Sequence, residues 1–391
     1  MQQPIETKAP GEVAYQQCTV SVMDTIADPD ISFDSEGRSN YFHEYQEAEA
    51  REGFRDELGT EKLHEAVARI KKRAGNDTYD CILGLSGGAD STYLALLAKR
   101  LGLKPLLVHF DYGWNSELAV QNIEMTVKKL GFELYTYVMD WPEFQSLQRS
   151  YFKASVLDLD VPADHMIFGA LYKVSKKFGV KTLLSGNNIW TEHTLPKTWN
   201  YNKFDYVNLS SIHRQFENTP LNHLPALGLW HQAWYQLFLD IQREQLLNCG
   251  FLDKEGIKAE IEAELSWRDY GGKHHESVFT RFYQGYILPR KFHIDKRKAH
   301  LSNLIFSGQL TREAALEELS QPTYDPSLQA EDKKYVAKKL GFSEDEFEAV
   351  LSQPNIDHVH YGTDRKQRDR YFQIMRTIKP MSRIVKAYRN R

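Results

Sequence analysis

Four short apolar runs alternate with longer segments of helical periodicity along the first half of the chain. The first two runs are almost continuously apolar, and the first is followed by a Gly-rich turn, a pattern typical of strands that are buried on both faces of a parallel sheet. We therefore predict four strands, CILGL at 81–85, KPLLVHF at 104–110, FELYTYVM at 132–139 and KTLLSG at 181–186.

The segments between these runs carry apolar residues at spacings of three and four, which predicts helices. Two of the segments end at glycine, Gly102 and Gly131, as helices commonly do. We predict helices from about Thr60, at 91–102, at 116–130 and at about 164–178. Strands that alternate with helices indicate an α/β fold, a parallel sheet with helices on both faces.

Functional residues in such sheets lie at the carboxyl ends of the strands. The polar segments that follow the four predicted strands are therefore candidate site segments. They begin at Ser86, run from His109 to Trp114, include Asp140 and Trp141, and run from Gly186 to Glu192.

Composition divides the chain into four predicted regions. Residues 1–58 form an N-terminal preamble rich in Asp, Glu and Gly, and residues 59–215 form the α/β domain. From about Phe216 we expect helices without intervening strands, so that 216–350 is a helical region that completes the substrate site. The segment 224–239 reads as an aromatic-rich buried helix, and 351–391 is a basic tail.

Charge and cysteine content restrict the class of protein. A formal net charge of −4 argues against a strongly basic nucleic-acid-binding protein. The tail holds ten of the 49 Lys and Arg residues, which suits either an anionic partner or a solvated helix end. Three cysteines, no secretory leader pattern and no long apolar run predict a cytoplasmic protein without a transmembrane segment.

The segment SGGADST, which runs from Ser86 to Thr92, joins the first predicted strand to a helix. Gly87 and Gly88 let backbone N–H groups approach an anion closely, and the following helix directs its positive end to the same place. The hydroxyl groups of Ser86, Ser91 and Thr92 are further donors. The segment therefore predicts a phosphate-binding loop, although an unliganded strand–helix turn has a similar composition.

This loop differs from the Walker type, because it lacks the G-x-x-x-x-G-K-[ST] pattern and its lysine. A carboxylate within an anion site is repulsive unless it caps N–H groups of the loop or binds Mg²⁺. Asp90 is therefore expected to have one of these two roles.

The loop resembles the pyrophosphate loop (PP-loop) of the ATP pyrophosphatases, a superfamily with an adenine-nucleotide α-hydrolase-like fold. Its members cleave ATP between the α and β phosphates and form an adenylylated intermediate. The resemblance places Gly84, Leu85, His109, Phe110 and Asp111 near the adenosine, with Gly186 and Asn187 beside the nucleotide.

From about Cys18 to Asp357 the chain resembles the N-acetyl sugar amidotransferases of the WbpG type, which act in lipopolysaccharide O-antigen biosynthesis. The resemblance is carried by 184–188, 196–197, 199–205 and 266–319, which begins SWRDYGGKHHESVFTRF. It implies an ATP-dependent enzyme that converts an acetamido group on a sugar or nucleotide-sugar into an acetamidino group. It also implies ammonia from partners similar to the glutaminase and cyclase subunits of histidine biosynthesis.

Members of this family often begin with a four-cysteine module that suits structural zinc. The matching positions here are Cys18, Ser21, Ser39 and Phe42. Because a single thiolate is left, we expect no zinc and a preamble that is held by packing.

Adenylylation of an amide oxygen requires cations near the phosphates and groups that move protons. Lys203, Lys273, Arg281 and Arg290 are the candidate cations, and Lys273 is preferred because it follows Gly271 and Gly272. His275 and Glu276 are candidates for proton transfer, and Glu192, like Asp90, is a candidate Mg²⁺ ligand. Asp90, Lys273, His275 and Glu276 are thus the predicted catalytic residues. A structural role on a helix or loop surface is the alternative for these residues.

None of the three cysteines has the setting of a glutaminase nucleophile, so ammonia is expected from a separate protein. The remaining alternatives are an adenylylating enzyme similar to NAD synthetase or a tRNA thiolase, and a non-catalytic nucleotide-binding scaffold. An oligomer is compatible with the sequence.

Overall fold

The computed structural model describes residues 14–272 and 275–376. Five parallel strands form one sheet in the order β3-β2-β1-β4-β5. The strands are β1 (Cys81–Gly84), β2 (Pro105–Asp111), β3 (Leu134–Val138), β4 (Thr182–Leu184) and β5 (Gln242–Glu244). The first four agree closely with the predicted runs, and the predicted α/β class is confirmed.

Strand β5 was not predicted. Gln242, Arg243 and Glu244 pair in parallel with Thr182, Leu183 and Leu184 of β4. The prediction that no strand follows Phe216 is therefore wrong. The strand is three residues long and polar, so neither apolar alternation nor a continuous apolar run marks it in the sequence.

The sixteen helices of the described residues connect the strands and extend the C-terminal half. In the first half they are α1 (Asn40–Glu52), α2 (Asp56–Ala74), α3 (Ala89–Arg100), α4 (Glu117–Leu130), α5 (Trp141–Ala154), α6 (Val161–Phe178), α7 (Ile189–Glu192) and α8 (Tyr206–Phe216). The others are α9 (Leu229–Leu237), α10 (Lys254–Leu265), α11 (Val278–Phe282), α12 (Leu288–Lys291), α13 (Arg297–Phe306), α14 (Arg312–Ser320), α15 (Pro326–Leu340) and α16 (Glu344–Leu351). Residues 283–287 form a π-helical turn between α11 and α12.

Two hydrophobic cores lie on the two faces of the sheet, because successive side chains of a strand point to opposite faces. Ile82 of β1 belongs to one core, with residues of α5 and α6, and Leu83 belongs to the other, with residues of α3 and α10. The strand order reverses at β1, so that the carboxyl ends of β1 and β4 flank a crevice at the switch point of the sheet.

The N-terminal segment packs against the C-terminal helices. Cys18, Ser21 and Ser39 are buried, and the sulfur of Cys18 accepts a hydrogen bond from the Ser39 N–H group at 3.3 Å. The guanidinium of Arg312 donates to the Ser21 carbonyl at 3.0 Å. These contacts agree with a segment held by packing, and the expected absence of zinc stays a prediction.

The aromatic segment 224–239 differs from its prediction. Helix α9 occupies only Leu229–Leu237, and Trp230 and Phe238 are 65% and 76% exposed. A buried helix was expected from composition alone, which does not identify the face that meets solvent. In the part of the chain that the structure describes, no helix combines the length and apolar character that crossing a bilayer requires. The division into four regions stays a prediction.

Candidate functional site

A cavity of about 330 Å³ lies at the carboxyl ends of β1, β2 and β4. Its wall is completed by residues of α6, α11 and the segment before α11. Eight of the predicted site residues line it together, namely Gly84, Leu85, Ser86, His109, Phe110, Gly186, Asn187 and Glu276. The structure therefore brings the ends of three separate strands to one site, as the parallel sheet predicts.

The phosphate-loop segment is held by its own serine hydroxyl groups. Ser86 Oγ lies 3.2 Å from Ser91 Oγ and accepts a hydrogen bond from the Gly88 N–H group at 3.2 Å. Ser91 Oγ also donates to the Gly88 carbonyl at 3.1 Å. The loop is thereby closed just before α3, whose positive N-terminal end favours an anion.

Two close approaches explain the pair of glycines in this loop. Gly87 has φ +84°, and a Cβ atom there would lie 2.5 Å from the Ala119 carbonyl oxygen at the start of α4. A Cβ atom on Gly88 would lie 3.0 Å from the hydroxyl of Tyr270. In addition, the indole N–H of the buried Trp267 donates to the Gly87 carbonyl at 2.8 Å. The loop is thus fixed from outside by α4 and by the segment after α10.

Asp90 and Thr92 occupy different environments in the first turn of α3. A Cβ atom on Gly186 would lie 3.9 Å from Asp90 Cβ and 3.8 Å from the Ser91 nitrogen, so the ends of β1 and β4 meet here. Asp90 therefore stands at the crevice. Neither Asp90 nor Thr92 lines the cavity. Thr92 is fully buried, and its backbone N–H donates to the Gly88 carbonyl within the helix. Its predicted donor hydroxyl faces the protein interior.

His109 lies in the cavity wall as a buried, neutral side chain. Burial lowers its pKa, although the Leu85 carbonyl, 3.4 Å from Nδ1, partly opposes this effect. Asn115 Nδ2 lies 3.4 Å from Nε2 and donates to the Phe110 carbonyl at 3.0 Å. His109 therefore supplies a rigid polar surface of the cavity, and its predicted place beside the adenosine stays a prediction.

Glu276 is positioned by pairing between the loop after β2 and the segment before α11. The Ser116 N–H donates to the Glu276 carbonyl at 2.8 Å, and the Val278 N–H donates to the Trp114 carbonyl at 2.9 Å. One carboxylate oxygen of Glu276 is 3.8 Å from the place that a Cβ atom on Gly88 would occupy. A residue from the C-terminal half thus stands directly beside the phosphate loop.

The neighbouring predicted residues are placed differently. The ring of His275 lies against Gly272 and faces Tyr324, with 6.0 Å between the ring centroids, and it does not line the cavity. Lys273 lies outside the described residues, so its predicted role is still a prediction.

Two of the predicted phosphate-binding cations are committed to ion pairs. Lys203 Nζ lies 2.5 Å from Asp158 and 3.2 Å from Asp164, and these carboxylates outweigh burial and raise its pKa. Arg281 binds both oxygens of Asp332, at 2.9 Å and 2.8 Å. Neither lines the cavity, so the structure places both away from the role that the sequence predicted. Because their partners are distant in sequence, these ion pairs were not visible there.

The other predicted residues also stand apart from the cavity wall. Asp111 is exposed at the end of β2 and accepts a hydrogen bond from the Gly113 N–H group. Glu192 is the last residue of α7. The guanidinium group of Arg290 packs on an aromatic ring, 3.9 Å from the centre of the Tyr286 ring. None of the three lines the cavity.

Sequence reasoning missed the polar residues at the far side of the cavity. Asp160 and Asp164 come from the start of α6, Gln284 comes from the π-helical turn, and Lys296 immediately precedes α13. Arg243 of β5 also lines the wall. A π-helical turn often marks a functional site, but the sequence does not reveal one. The other residues have no motif, because the fold alone brings them together.

Two family models match the chain. Residues 276–379 match the model "LPS biosynthesis protein WbpG-like, C-terminal domain", so the matched segment begins at Glu276. Residues 80–164 match the model "Queuosine biosynthesis protein QueC" and include β1, the phosphate loop and β2.

Curated relatives match over short segments. A tRNA(Ile)-lysidine synthase of Thermus thermophilus is 26% identical over 116 residues, which are 29% of this chain and 20% of the relative. A GMP synthase (glutamine-hydrolyzing) of Vibrio cholerae is 50% identical over 52 residues, which are 13% of this chain and 10% of the relative. The chain thus spans a fifth or less of the length of these relatives.

Two solved structures are similar at low identity. An NH3-dependent NAD synthetase from Campylobacter jejuni is 16% identical, with 76% of this chain and 98% of that chain covered and a TM-score of 0.30. An NMN synthetase from Francisella tularensis is also 16% identical, with 62% and 97% covered and a TM-score of 0.30. The fold assignment rests on the sheet and not on these likenesses. Residues 276–379 are thus similar to the C-terminal domain of the WbpG-type family, and the phosphate loop lies within a second match, to a family of the PP-loop ATP pyrophosphatase superfamily.

Proposed function

We propose that the protein is an ATP-dependent amidotransferase that converts an acetamido group of a sugar or nucleotide-sugar into an acetamidino group. The observation that carries the proposal is the cavity itself. Ser86 of the phosphate loop and Glu276, the first residue of the WbpG-like match, line the same cavity. The proposal assigns the ATP site and the acceptor site to adjoining parts of this cavity.

The reaction requires a better electrophile and a better leaving group than an amide provides. In the proposed reaction the acetamido oxygen attacks the α phosphorus of ATP and displaces pyrophosphate. Ammonia then adds to the activated carbon, and the oxygen departs with AMP. Because no covalent bond to the protein is needed, the protein acts by positioning the reactants and stabilising charge.

The phosphate loop has the main binding role in this proposal. The backbone N–H group of Gly87 and the first turn of α3 hold the β and γ phosphates beside Gly88, whose own N–H group is bonded to Ser86 Oγ, and the ends of β1 and β2 accommodate the adenosine. The neutral ring of His109 and the apolar ring of Phe110 form part of that wall. Lys273 is proposed to close over the phosphates.

A magnesium ion supplies charge neutralisation for the phosphates when it is bound. Asp90 fits this ion because it offers a hard oxygen donor in the first turn of α3, where β1 and β4 meet. Glu192, the last residue of α7, is the second candidate ligand, and neither it nor Asp90 lines the cavity. Glu276 and His275 are the proposed proton-transferring residues, and of these only Glu276 lines the cavity.

Ammonia is proposed to come from separate glutaminase and channel proteins. The three cysteines, all within the described residues, support this proposal. Burial raises the pKa of the Cys81 and Cys249 thiols, so neither is an activated nucleophile. At Cys18, burial is outweighed by hydrogen bonds with Ser21 and Ser39, which lower the pKa of the thiol, but this side chain is fully buried and so closed to glutamine. The QueC match is confined to residues 80–164 and favours the nucleotide chemistry without selecting a substrate.

Product analysis tests the proposal. The protein is incubated with ATP, Mg²⁺, an ammonium salt and a panel of acetamido nucleotide-sugars, and the products are measured by mass spectrometry. We expect AMP, pyrophosphate and a sugar in which O has been replaced by NH, all in equal amounts. A panel without any sugar-dependent pyrophosphate would refute the proposal, and a variant with Asp90→Asn and Ser91→Ala should lose the activity.

A further inference from the structure

A group of charged residues lines one end of the cavity, where α6, α11 and the residue before α13 meet. The reaction proposed for the protein has not assigned them a role. Asp160, Asp164 and Lys296 line the cavity there, together with Thr280 of α11. Thr280 follows Ser277, the N-cap of α11, by less than one helical turn, and Ser277 follows Glu276 at the phosphate loop. Within the cavity, one turn of α11 therefore connects the charged end to the end at the phosphate loop.

The two carboxylates of this group have unequal partners. Asp164 lies 3.2 Å from the ammonium group of Lys203, which also binds Asp158 at 2.5 Å. Asp160 makes no ion pair within the described part of the chain, and Thr280 Oγ1 approaches it only at 3.5 Å. Asp160 therefore presents a carboxylate to the cavity whose hydrogen-bonding capacity is largely unused.

The pKa of Asp160 is raised toward neutral pH. Burial and the neighbouring Asp164 raise its pKa to about 6, whereas Lys296 and Lys203 oppose the shift. The charged or titratable groups that face it are Asp158 and Asp164 around the start of α6, Lys203 before α8, Lys296 before α13, and the hydroxyl groups of Tyr112 and Tyr283. A cation bound at Asp160 would favour the ionised carboxylate.

The proposed reaction creates such a cation. A neutral acetamide and neutral ammonia become an amidinium group: the carbon–oxygen bond breaks, a carbon–nitrogen bond forms, the oxygen leaves with AMP, and one proton is released to solvent. Positive charge thus develops on the two nitrogens during the second half of the reaction. A carboxylate at that place stabilises the transition state more than the neutral substrate.

On the basis of the proposed function, we propose that Asp160 is the carboxylate that binds this developing amidinium group and so favours ammonia over water as nucleophile. The ligand class of the Asp160 end of the cavity is therefore a small planar nitrogen cation. The sugar ring and the nucleotide lie on the sides of Glu276 and the phosphate loop.

Binding of acetamidinium tests this role without any turnover. Acetamidinium is titrated calorimetrically into wild type, Asp160→Asn and Asp240→Asn in the presence of a non-hydrolysable ATP analogue. Asp160 has no side-chain capping bond to lose, and Asp240 is an exposed carboxylate with positive φ that Asn also accepts. We expect Asp160→Asn to weaken binding at least about tenfold, as for loss of a charge-assisted hydrogen bond, and Asp240→Asn to have no effect.

Two further readouts separate this inference from the proposed function. Wild-type affinity for acetamidinium should fall as the pH is lowered through about 6, and Asp160→Asn should lack this dependence. During turnover, Asp160→Asn should form pyrophosphate in excess over amidine and should require more ammonium, and Asp160→Glu should partly restore the coupling. Equal binding by wild type and Asp160→Asn, or no binding by wild type, overturns the inference. Absence of amidine from wild type overturns the proposed function instead.

Discussion

The substitution Gly87→Ala tests whether the backbone geometry of the phosphate loop is essential. Gly87 has φ +84°, and the added methyl group would lie 2.5 Å from the carbonyl oxygen of Ala119 and 3.1 Å from its carbonyl carbon. Both atoms belong to the backbone of α4. The contact therefore cannot be relieved by rotation of a side chain, and either the loop or the start of α4 must move.

Two costs add up in this variant. A left-handed conformation costs a non-glycine residue about 1–2 kcal/mol. Forcing the methyl group against a packed backbone costs about 1–3 kcal/mol more, so we expect a loss of about 2–5 kcal/mol in the free energy of unfolding. If the loop moves by about 1 Å instead, turnover should fall about 100-fold, because the phosphates lose their alignment.

Gly179→Ala is the matched control. Gly179 has φ +72° at the end of α6, and no atom lies within 4 Å of the place where its Cβ would stand. It should therefore show only the conformational cost of about 1–2 kcal/mol and keep its ATP affinity. Urea denaturation and ATP–pyrophosphate exchange measure the two effects. The reasoning is refuted if Gly87→Ala matches Gly179→Ala in stability and wild type in exchange rate.

Three further substitutions test other parts of the account. Arg281→Met removes one partner of the buried pair with Asp332, so the free energy of unfolding in urea should fall by about 3–5 kcal/mol while the ATP affinity of the folded protein is unchanged. Unchanged stability with weaker ATP binding would instead make Arg281 a phosphate ligand. Trp267→Phe leaves the Gly87 carbonyl without its indole donor and should cost about 1–3 kcal/mol with weaker ATP binding, and wild-type values for both would show that the bond is dispensable. Burial lowers the pKa of His165 to about 4, so this residue binds a proton below pH 6.5 in the unfolded chain but not in the folded chain. His165 alone should therefore lower the free energy of unfolding by about 3 kcal/mol between pH 6.5 and 4. Denaturation of His165→Gln at several pH values should show a shallower fall, and an equally steep one would contradict this origin.

The sequence was sufficient for the sheet core and the phosphate loop, because both depend on local signals. Continuous apolar runs identify strands β1 and β2, which are buried on both faces, and a Gly-Gly pair between strand and helix identifies the loop. The sequence failed at β5, whose residues Gln242 and Glu244 are polar. Its position depends on pairing with the edge of β4, which is a tertiary contact.

The far side of the cavity was beyond sequence reasoning for a related reason. Lys203 and Arg281 have the charge that a phosphate site needs, but their carboxylate partners come from other parts of the chain. Conversely, Asp160 and Lys296 belong to no motif and meet only because α6 and α13 pack around one cavity. The type and spacing of charged residues therefore predict a ligand-binding role only where the fold does not pair those residues with opposite charges of the protein itself.

Transfer of an isotopically labelled oxygen tests the central claim most directly. An acetamido sugar labelled with ¹⁸O in its acetyl carbonyl group is incubated with the protein, ATP, Mg²⁺ and ammonium, and AMP is analysed by mass spectrometry. The account predicts that the label appears in the phosphate of AMP in equal amount with the amidine formed. Unlabelled AMP, or ADP and phosphate in place of AMP and pyrophosphate, would contradict it.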